Sequence, residues 1–232
     1  VTYSIIIPTY NHLDEDLRPC IESLVKMTTL LGLEVVVVSN GSTDGTDEYV
    51  RNLGEPFRLL SYPKPLGYTR AMNAGISVAE GEFVVPFNND NVLLDVAPKD
   101  QWLAMLRAPF DDPAVGLSGP VRQHWAGRPM LPFFCVMVRR KLFWDLGMLD
   151  EAFSPGAGED TDFCMRAHAA GHEIVQVPNA SDGEYAYGIP FPIWHKGGRT
   201  VRQIPGWGSI IERNTRILDE RYPRLPAAKQ ES

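Results

Sequence analysis

The sequence is poor in cysteine, and its three cysteines, Cys20, Cys135 and Cys164, stand far apart. An odd, scattered set without a C-x-x-C pair excludes a disulfide framework and a thiolate zinc site, and it predicts a reducing, cytoplasmic setting. Basic runs are missing too. The formal net charge of the 232 residues is -7, which argues against a nucleic-acid partner. No apolar run reaches the roughly 18 residues of a membrane-spanning helix. The basic region and apolar core of a signal peptide are not seen before the first strand pattern. Internal repeats and low-complexity segments are also lacking.

What the chain has is 44% hydrophobic and 22% charged residues, enough to bury a proper core. Ser4-Ile5-Ile6-Ile7-Pro8 reads as a buried central strand. A helix follows, with Asp14, Glu15 and Asp16 at its positive end and Pro19 early. Leu33 to Val38 is a second strand, running into the polar turn Ser39 to Thr46 and a helix through Val50. Phe57 to Leu60, a helix from Gly67 to Ala79, and a strand from Glu82 to Phe87 complete an alternation. That rhythm predicts an α/β domain with a mostly parallel sheet covered on both faces. Beyond Asp90 the spacing predicts a helix over Trp102 to Arg107 and strands at Val115 to Ser118 and Phe133 to Val138. A short helix from Arg140 to Leu146, a helix from Glu159 to Ala170 and a strand at Ile174 to Val177 follow. Ser181 to Gly198 is aromatic and glycine-rich without a period, and it reads as one long functional loop. The last helix, about Ser209 to Glu220, sets Ile210, Ile211, Asn214, Ile217 and Leu218 on one side. Packing onto its own domain is the expected use of that face, with a homodimer contact or peripheral membrane binding as the other two. No linker interrupts the chain. One domain is expected over 1–232, with a nucleotide half to 92, an acceptor half over 93–205 and a C-terminal helix and tail over 206–232.

Four polar clusters fall at ends of these elements. Asn40 to Thr46 offers glycines, hydroxyls and free N–H groups to an anion, or simply caps a helix. Asn88-Asn89-Asp90-Asn91 ends a buried strand. There Asp90 suits a hard divalent cation bridging a diphosphate, and an Asn-rich turn is the plainer alternative. Glu159-Asp160 with Asp162 follows a glycine loop. These carboxylates can supply a general base or cap a helix. In Trp194 to Thr200, His195 can ligate a metal while Lys196 and Arg199 neutralise phosphate; a structural or merely exposed histidine is the plainer alternative.

Taken together and in order, these pieces resemble a family 2 glycosyltransferase of the GT-A fold. The likeness runs from Ser4 to about Thr200. It is carried by the opening strand through Asn11, by Val37 to Thr46, and by Gly67 through Asn73 to Glu82. Asn88-Asn89-Asp90 stands at the DxD position, and Glu159 to Arg166 at the ED motif. The asparagine-rich forms are similar to the rhamnosyltransferase-like branch. The resemblance implies a GT-A (Rossmann-like) sheet and inverting transfer from a nucleoside-diphosphate sugar (UDP-, dTDP- or GDP-linked) to a glycan, lipid-linked or protein hydroxyl. It implies Pro8, Thr9, Asn11, Ser39, Asn40, Gly67, Asn73, Asn88 and Asn89 around the nucleotide. Asp90 would touch Mn²⁺ or Mg²⁺, with His195 completing the shell, and Asp160 would be the catalytic base. Two departures stand out. Ser39 replaces an aspartate that meets the base, and Asn88 replaces the first aspartate of the metal motif. They keep open a non-catalytic nucleotide-sugar or glycan-binding module. A sugar-nucleotide pyrophosphorylase is disfavoured, because Pro8 to Asn11 is not a glycine-rich basic loop.

Overall fold

A computed structural model describes residues 2–177, 191–197 and 204–223. The apolar runs form strands as their composition requires: β1 (Tyr3–Thr9), β2 (Leu33–Asn40), β3 (Phe57–Tyr62) and β4 (Phe83–Pro86). Further along come β5 (Asn91–Leu93), β6 (Val115–Gly119), β7 (Gln123–Trp125), β8 (Arg128–Met130), β9 (Met137–Arg139), β10 (Glu173–Gln176) and β11 (Ile193–His195). The helices are α1 (Arg18–Met27), α2 (Thr46–Leu53), α3 (Tyr68–Ser77), α4 (Gln101–Arg107), α5 (Arg140–Asp145), α6 (Glu159–Ala169) and α7 (Trp207–Arg221).

Among the described residues the main sheet has seven strands in the order β10-β6-β9-β4-β1-β2-β3. All its pairings are parallel except those of β9, which runs antiparallel to both β4 and β6. Alternate residues of one strand feed opposite layers, as the period of two dictates. Ile5 and Ile7 pack with Leu17, Ile21 and Trp102 on the α1 and α4 side. Ile6 packs with Met72, Ile76, Leu142 and Phe163 on the α3, α5 and α6 side. The expected α/β class with helices on both faces is what forms.

Several details differ from the sequence reading. The helix after β1 is not α-helical throughout: one π-helical turn, Leu13–Leu17, runs directly into α1. Asn11 and His12 take left-handed backbone angles there, which asparagine tolerates better than most residues. The Phe133 to Val138 stretch is a strand only at its end, in β9, with an isolated bridge from Cys135 to Phe87. The Ser181 to Gly198 stretch is not all loop, because its described part contains β11, which pairs antiparallel with β5. The rest of it, Ser181 through Pro190 and Gly198, lies outside the described residues. No helix among the described residues is long and apolar enough to cross a membrane.

The loops at the strand ends are laced together. The Asp44 carboxylate accepts from Leu13 N at 2.8 Å and from Thr46 Oγ1 at 2.6 Å. Asn11 Oδ1 accepts from Thr43 N at 2.8 Å, and Ser42 Oγ accepts from Asn11 N at 2.9 Å. This fixes the top edge of the sheet, where parallel strands present their C-terminal ends to ligands.

One glycine tests the sandwich. A Cβ on Gly75, inside α3, would lie 2.2 Å from Ile6 Cγ2 and 3.0 Å from Val38 Cγ2. Helix propensity alone makes Gly→Ala stabilising by about 1 kcal/mol. Overpacking against β1 reverses the sign, so Gly75→Ala should lose roughly 1–3 kcal/mol. Urea unfolding is expected to show a lower midpoint at unchanged slope; a raised midpoint would contradict this packing.

Candidate active site

A cavity of about 750 Å³ opens over the C-terminal ends of β1, β2 and β4. One end is built on the turn between β4 and β5. Asp90 sits there, buried with 7% exposure. The β5–β11 ladder sets His195 opposite Asn91, and so brings the His195 Nε2 atom to 3.1 Å from Asp90 Oδ1. Gly197 N donates to the other Asp90 oxygen at 3.0 Å, and Lys196 N to the Asp90 carbonyl at 3.2 Å. The Phe134 ring stacks on the imidazole at 4.5 Å between centroids and 6° between planes. Burial pushes the Asp90 carboxyl up, but the His195 hydrogen bond and charge, with the Gly197 N–H, outweigh it and hold it below the ordinary carboxylate value.

The same imidazole nitrogen lies 3.3 Å from Asn88 Nδ2. It cannot both donate to the carboxylate and accept from the amide. Meanwhile Asn88 Oδ1 is buried without a hydrogen-bond partner, a costly state. Turning the amide would aim this oxygen at the Asp90–His195 pair. A carboxylate oxygen 3.1 Å and an amide terminus 3.3 Å from one imidazole nitrogen match the spacing of neighbouring ligands around a cation with bonds of about 2.1 Å. The donor set therefore fits a divalent cation. Among the described residues no group of three or more His, Cys, Asp or Glu gathers at one point, so the third ligand from the protein would be the amide oxygen of Asn88.

The other end of the cavity is the N-terminus of α6. Gly158, at φ 99°, turns the chain into the helix, and Glu159 and Asp160 then face the cavity. Asp160 Oδ1 accepts from Thr161 N at 2.7 Å. Burial raises its carboxyl to about 6, against the pull of the Thr161 and Phe133 N–H groups. Glu159 is 4% exposed, and its Oε2 has no partner. Burial first, and the Asp160 charge second, push it up further still. Between the two ends stands Tyr68, whose hydroxyl donates to Phe133 O at 3.1 Å. Burial raises its pKa well above the ordinary value, and the charges of Glu159, Asp160 and Asp90 add to the rise.

Of the residues expected around a nucleotide, Pro8, Thr9, Asn40, Gly67, Asn88 and Asn89 line this cavity, together with Asp90, Asp160 and His195. Thr9 Oγ1 accepts from Asn89 Nδ2 at 2.9 Å. Four expectations need correction. Ser39 is buried beneath the wall with its hydroxyl unpartnered; alternation along β2 turns Asn40, not Ser39, to the cavity. Asn11 spends its amide oxygen on Thr43 N. Asn73 spends its amide on both backbone groups of Leu149, at 2.8 and 3.0 Å. Lys196 is bound to Asp16 Oδ1 at 2.9 Å and to the Glu15 carbonyl, so its charge anchors the π-helical turn. Arg199 lies outside the described residues. Glu159, singled out in the sequence beside Asp160, lines the cavity too, and the sequence reading missed Tyr68, Phe134 and Trp207 as its walls. The aromatics had no signal that separated wall from core.

The sequence model described as "Glycosyl transferase family 2" matches residues 4–128. The chain belongs to this family. It is 28% identical over 185 residues to the pre-mycofactocin glycosyltransferase of Mycobacterium tuberculosis, a match that covers 66% of this chain and 38% of that protein. The chain spans well under half the length of the curated relatives it matches. Among solved structures it is similar to the mannosyltransferase PcManGT of Pyrobaculum calidifontis in complex with GDP-Man and Mn²⁺. The TM-score is 0.62 at 24% identity, over 76% of this chain and 55% of that one. It is also similar to residues 1–349 of TarS from S. aureus in complex with UDP-GlcNAc, with a TM-score of 0.58 at 22% identity, over 75% of this chain and 55% of that one. These likenesses establish the GT-A fold.

The raised Asp160 carboxyl can be read directly. Carboxyl ¹³C NMR titration should find Asp160 near 6, well above the ordinary aspartate value of about 3.9. A midpoint at the ordinary value would mean that the α6 N-terminus is open to water.

Proposed function

We propose that this chain is the catalytic domain of an inverting glycosyltransferase that moves a sugar from a nucleoside-diphosphate sugar to an acceptor hydroxyl. One observation carries the reading: a base-like carboxylate, Asp160, and a cation-fitting cluster, Asp90 with His195 and Asn88, line the same cavity. Family membership supports it.

Asp90 and His195, with the Asn88 amide oxygen, would hold Mn²⁺ or Mg²⁺. When bound, the ion offsets the charge gathering on the diphosphate as it leaves. Pro8, Thr9 and Asn40 form the floor under the nucleotide, and Gly67 lets the backbone come close. Asp160 takes the proton from the acceptor hydroxyl as its oxygen bonds to the anomeric carbon and the bond from that carbon to the diphosphate breaks. A carboxylate raised to about 6 is still ionised at neutral pH yet more basic than a solvated one. Phe133, Phe134, Tyr68 and Trp207 give the cavity apolar walls, which limits hydrolysis by water. Two solved neighbours hold different nucleotides, GDP-Man and UDP-GlcNAc, so UDP-, dTDP- and GDP-sugars are all candidate donors. Acceptors to screen are glycans, lipid-linked glycans and proteins.

A second reading, a nucleotide-sugar or glycan-binding module without turnover, is favoured by one feature. Asn88 leaves Asp90 as the lone carboxylate at the β4 end. Donor screening by thermal shift with Mn²⁺ or Mg²⁺, followed by diphosphate release, separates the two. Binding without release from any donor supports the module and sinks the transferase.

Asp160→Asn should lower transfer by roughly 10²–10⁴-fold while calorimetric donor affinity stays near wild type. In the native protein, kcat should rise as pH passes upward through about 6, because the base works only when deprotonated. Near-full turnover in Asp160→Asn would remove Asp160 from the mechanism.

A further inference from the structure

Helix α7 lies beyond the stretch that the family model covers, and it carries a polar residue in the middle of its apolar stripe. Asn214 is 0% exposed. Its amide nitrogen donates to three carbonyls of one short loop: Phe153 O at 3.1 Å, Gly156 O at 2.9 Å and Ala157 O at 2.6 Å. Two hydrogens serve three acceptors, so one is shared. The orientation of the amide is set from the other side, where Arg213 Nε donates to Asn214 Oδ1 at 2.9 Å. Arg213 Nη2 donates to Ser154 O at 2.6 Å. The carbonyls of Phe153, Ser154, Gly156 and Ala157 are thus all held by two adjacent side chains of α7.

This loop leads straight into Glu159 and Asp160. It needs holding, because Ala157 sits at φ 75°, a left-handed angle that alanine disfavours. Its far side is fixed against α3: Tyr68 N donates to Pro155 O at 2.6 Å, and a Cβ on Gly67 would lie 2.8 Å from Pro155 Cα. Helix α7 also grips α6 itself. Arg221 Nη1 and the Tyr222 hydroxyl each donate to Asp162 Oδ1 at 2.9 Å. The first turn of α6 therefore has its place set by α7 from two directions.

We propose that Asn214, supported by Arg213, is a positioning residue for the base. By clamping the carbonyls of residues 153–157 it fixes where the Asp160 carboxylate meets an acceptor. The inference rests on Asp160 acting as that base. An oriented base is worth more than a merely present one, since small misplacements of a reacting group cost rate far more than they cost binding.

The test compares three variants of the full chain at a temperature well below their melting points. Asn214→Leu removes both N–H donors while keeping the side chain's branching and heavy-atom count. Arg213→Met, at an exposed position, weakens the same clamp and covers the case in which the first variant fails to fold. Thr215→Val is the control, cutting the 3.2 Å bond from Trp125 Nε1 to Thr215 Oγ1 on the same helix. Expected for Asn214→Leu is a loss in kcat of about tenfold or more, an unchanged dissociation constant for the nucleoside diphosphate with Mn²⁺, and faster hydrogen exchange in residues 153–161. Arg213→Met should move the same way by less, and Thr215→Val should keep wild-type kcat whatever its melting point. If kcat falls only in step with melting temperature in all three, or if loop exchange does not change, Asn214 is a stability residue and the proposal is overturned. Should the wild-type protein transfer no sugar, the glycosyl-transfer reading fails. Loop exchange and the Asp160 carboxyl resonance in Asn214→Leu then still decide whether the clamp acts on that side chain.

Discussion

Three residue pairings between β5 and β11 fix Ile193–His195 against Asn91–Leu93, and the Asp90 end of the cavity depends on them. Without that ladder Asp90 would be a lone carboxylate on an asparagine-rich turn. With it, an imidazole is delivered within hydrogen-bond reach, backed by the Phe134 ring and followed by a backbone N–H aimed at the second carboxylate oxygen. A pairing this short would be marginal by itself. It survives because Ile193 and Leu93 are buried and because Lys196, one residue past the ladder, is tied to Asp16 in the turn after β1. A lysine that reads in sequence as a phosphate partner thus helps to hold a histidine in place.

The two ends of the cavity are built on different physical logic. At the β4 end, N–H and imidazole donors around Asp90 favour the charged carboxylate. At the α6 end, burial against aromatic walls works against charge on Glu159 and Asp160. Two acidic centres in one cavity are pushed in opposite directions, which is how a protein assigns separate tasks to similar groups. Helix α7 belongs to the second end.

How far the sequence speaks follows from the same geometry. Strands β1, β2 and β4 are legible because β-branched runs buried on both faces have few other uses, and α3 and α6 because glycine marks their starts. Asp90 and Asp160 are legible because carboxylates at element ends are exposed to the question of what they bind. The orientation of β9 and the existence of β5 and β11 are not legible, since three residues carry no period. Nor are the roles of Asn11 and Asn73. An asparagine that caps a neighbouring backbone and one that meets a ligand look alike until the partner, which for Asn73 is Leu149, is located in space. Ser39 shows a sharper failure, because one step along a strand separates a cavity wall from a buried hydroxyl. Asn214 was visible as a polar residue within an apolar stripe, but its three acceptors lie far back in the chain.

The sequence separations across the site have a consequence for how the molecule comes into being. His195 meets Asn88, and Gly197 meets Asp90, across 107 residues, while Asn214 reaches back 57 to 61 residues to the loop before Asp160. Closing spans of that length is slow and depends on the intervening structure being in place. The sheet around β1 can assemble from the first part of the chain, but neither end of the cavity is complete until the segments carrying β11 and α7 have been made and docked. A nascent or truncated chain would own the strands and loops under the cavity while lacking the contacts that hold the loop before Asp160. Under the proposed function, assembly order would withhold chemistry until the last segments have docked.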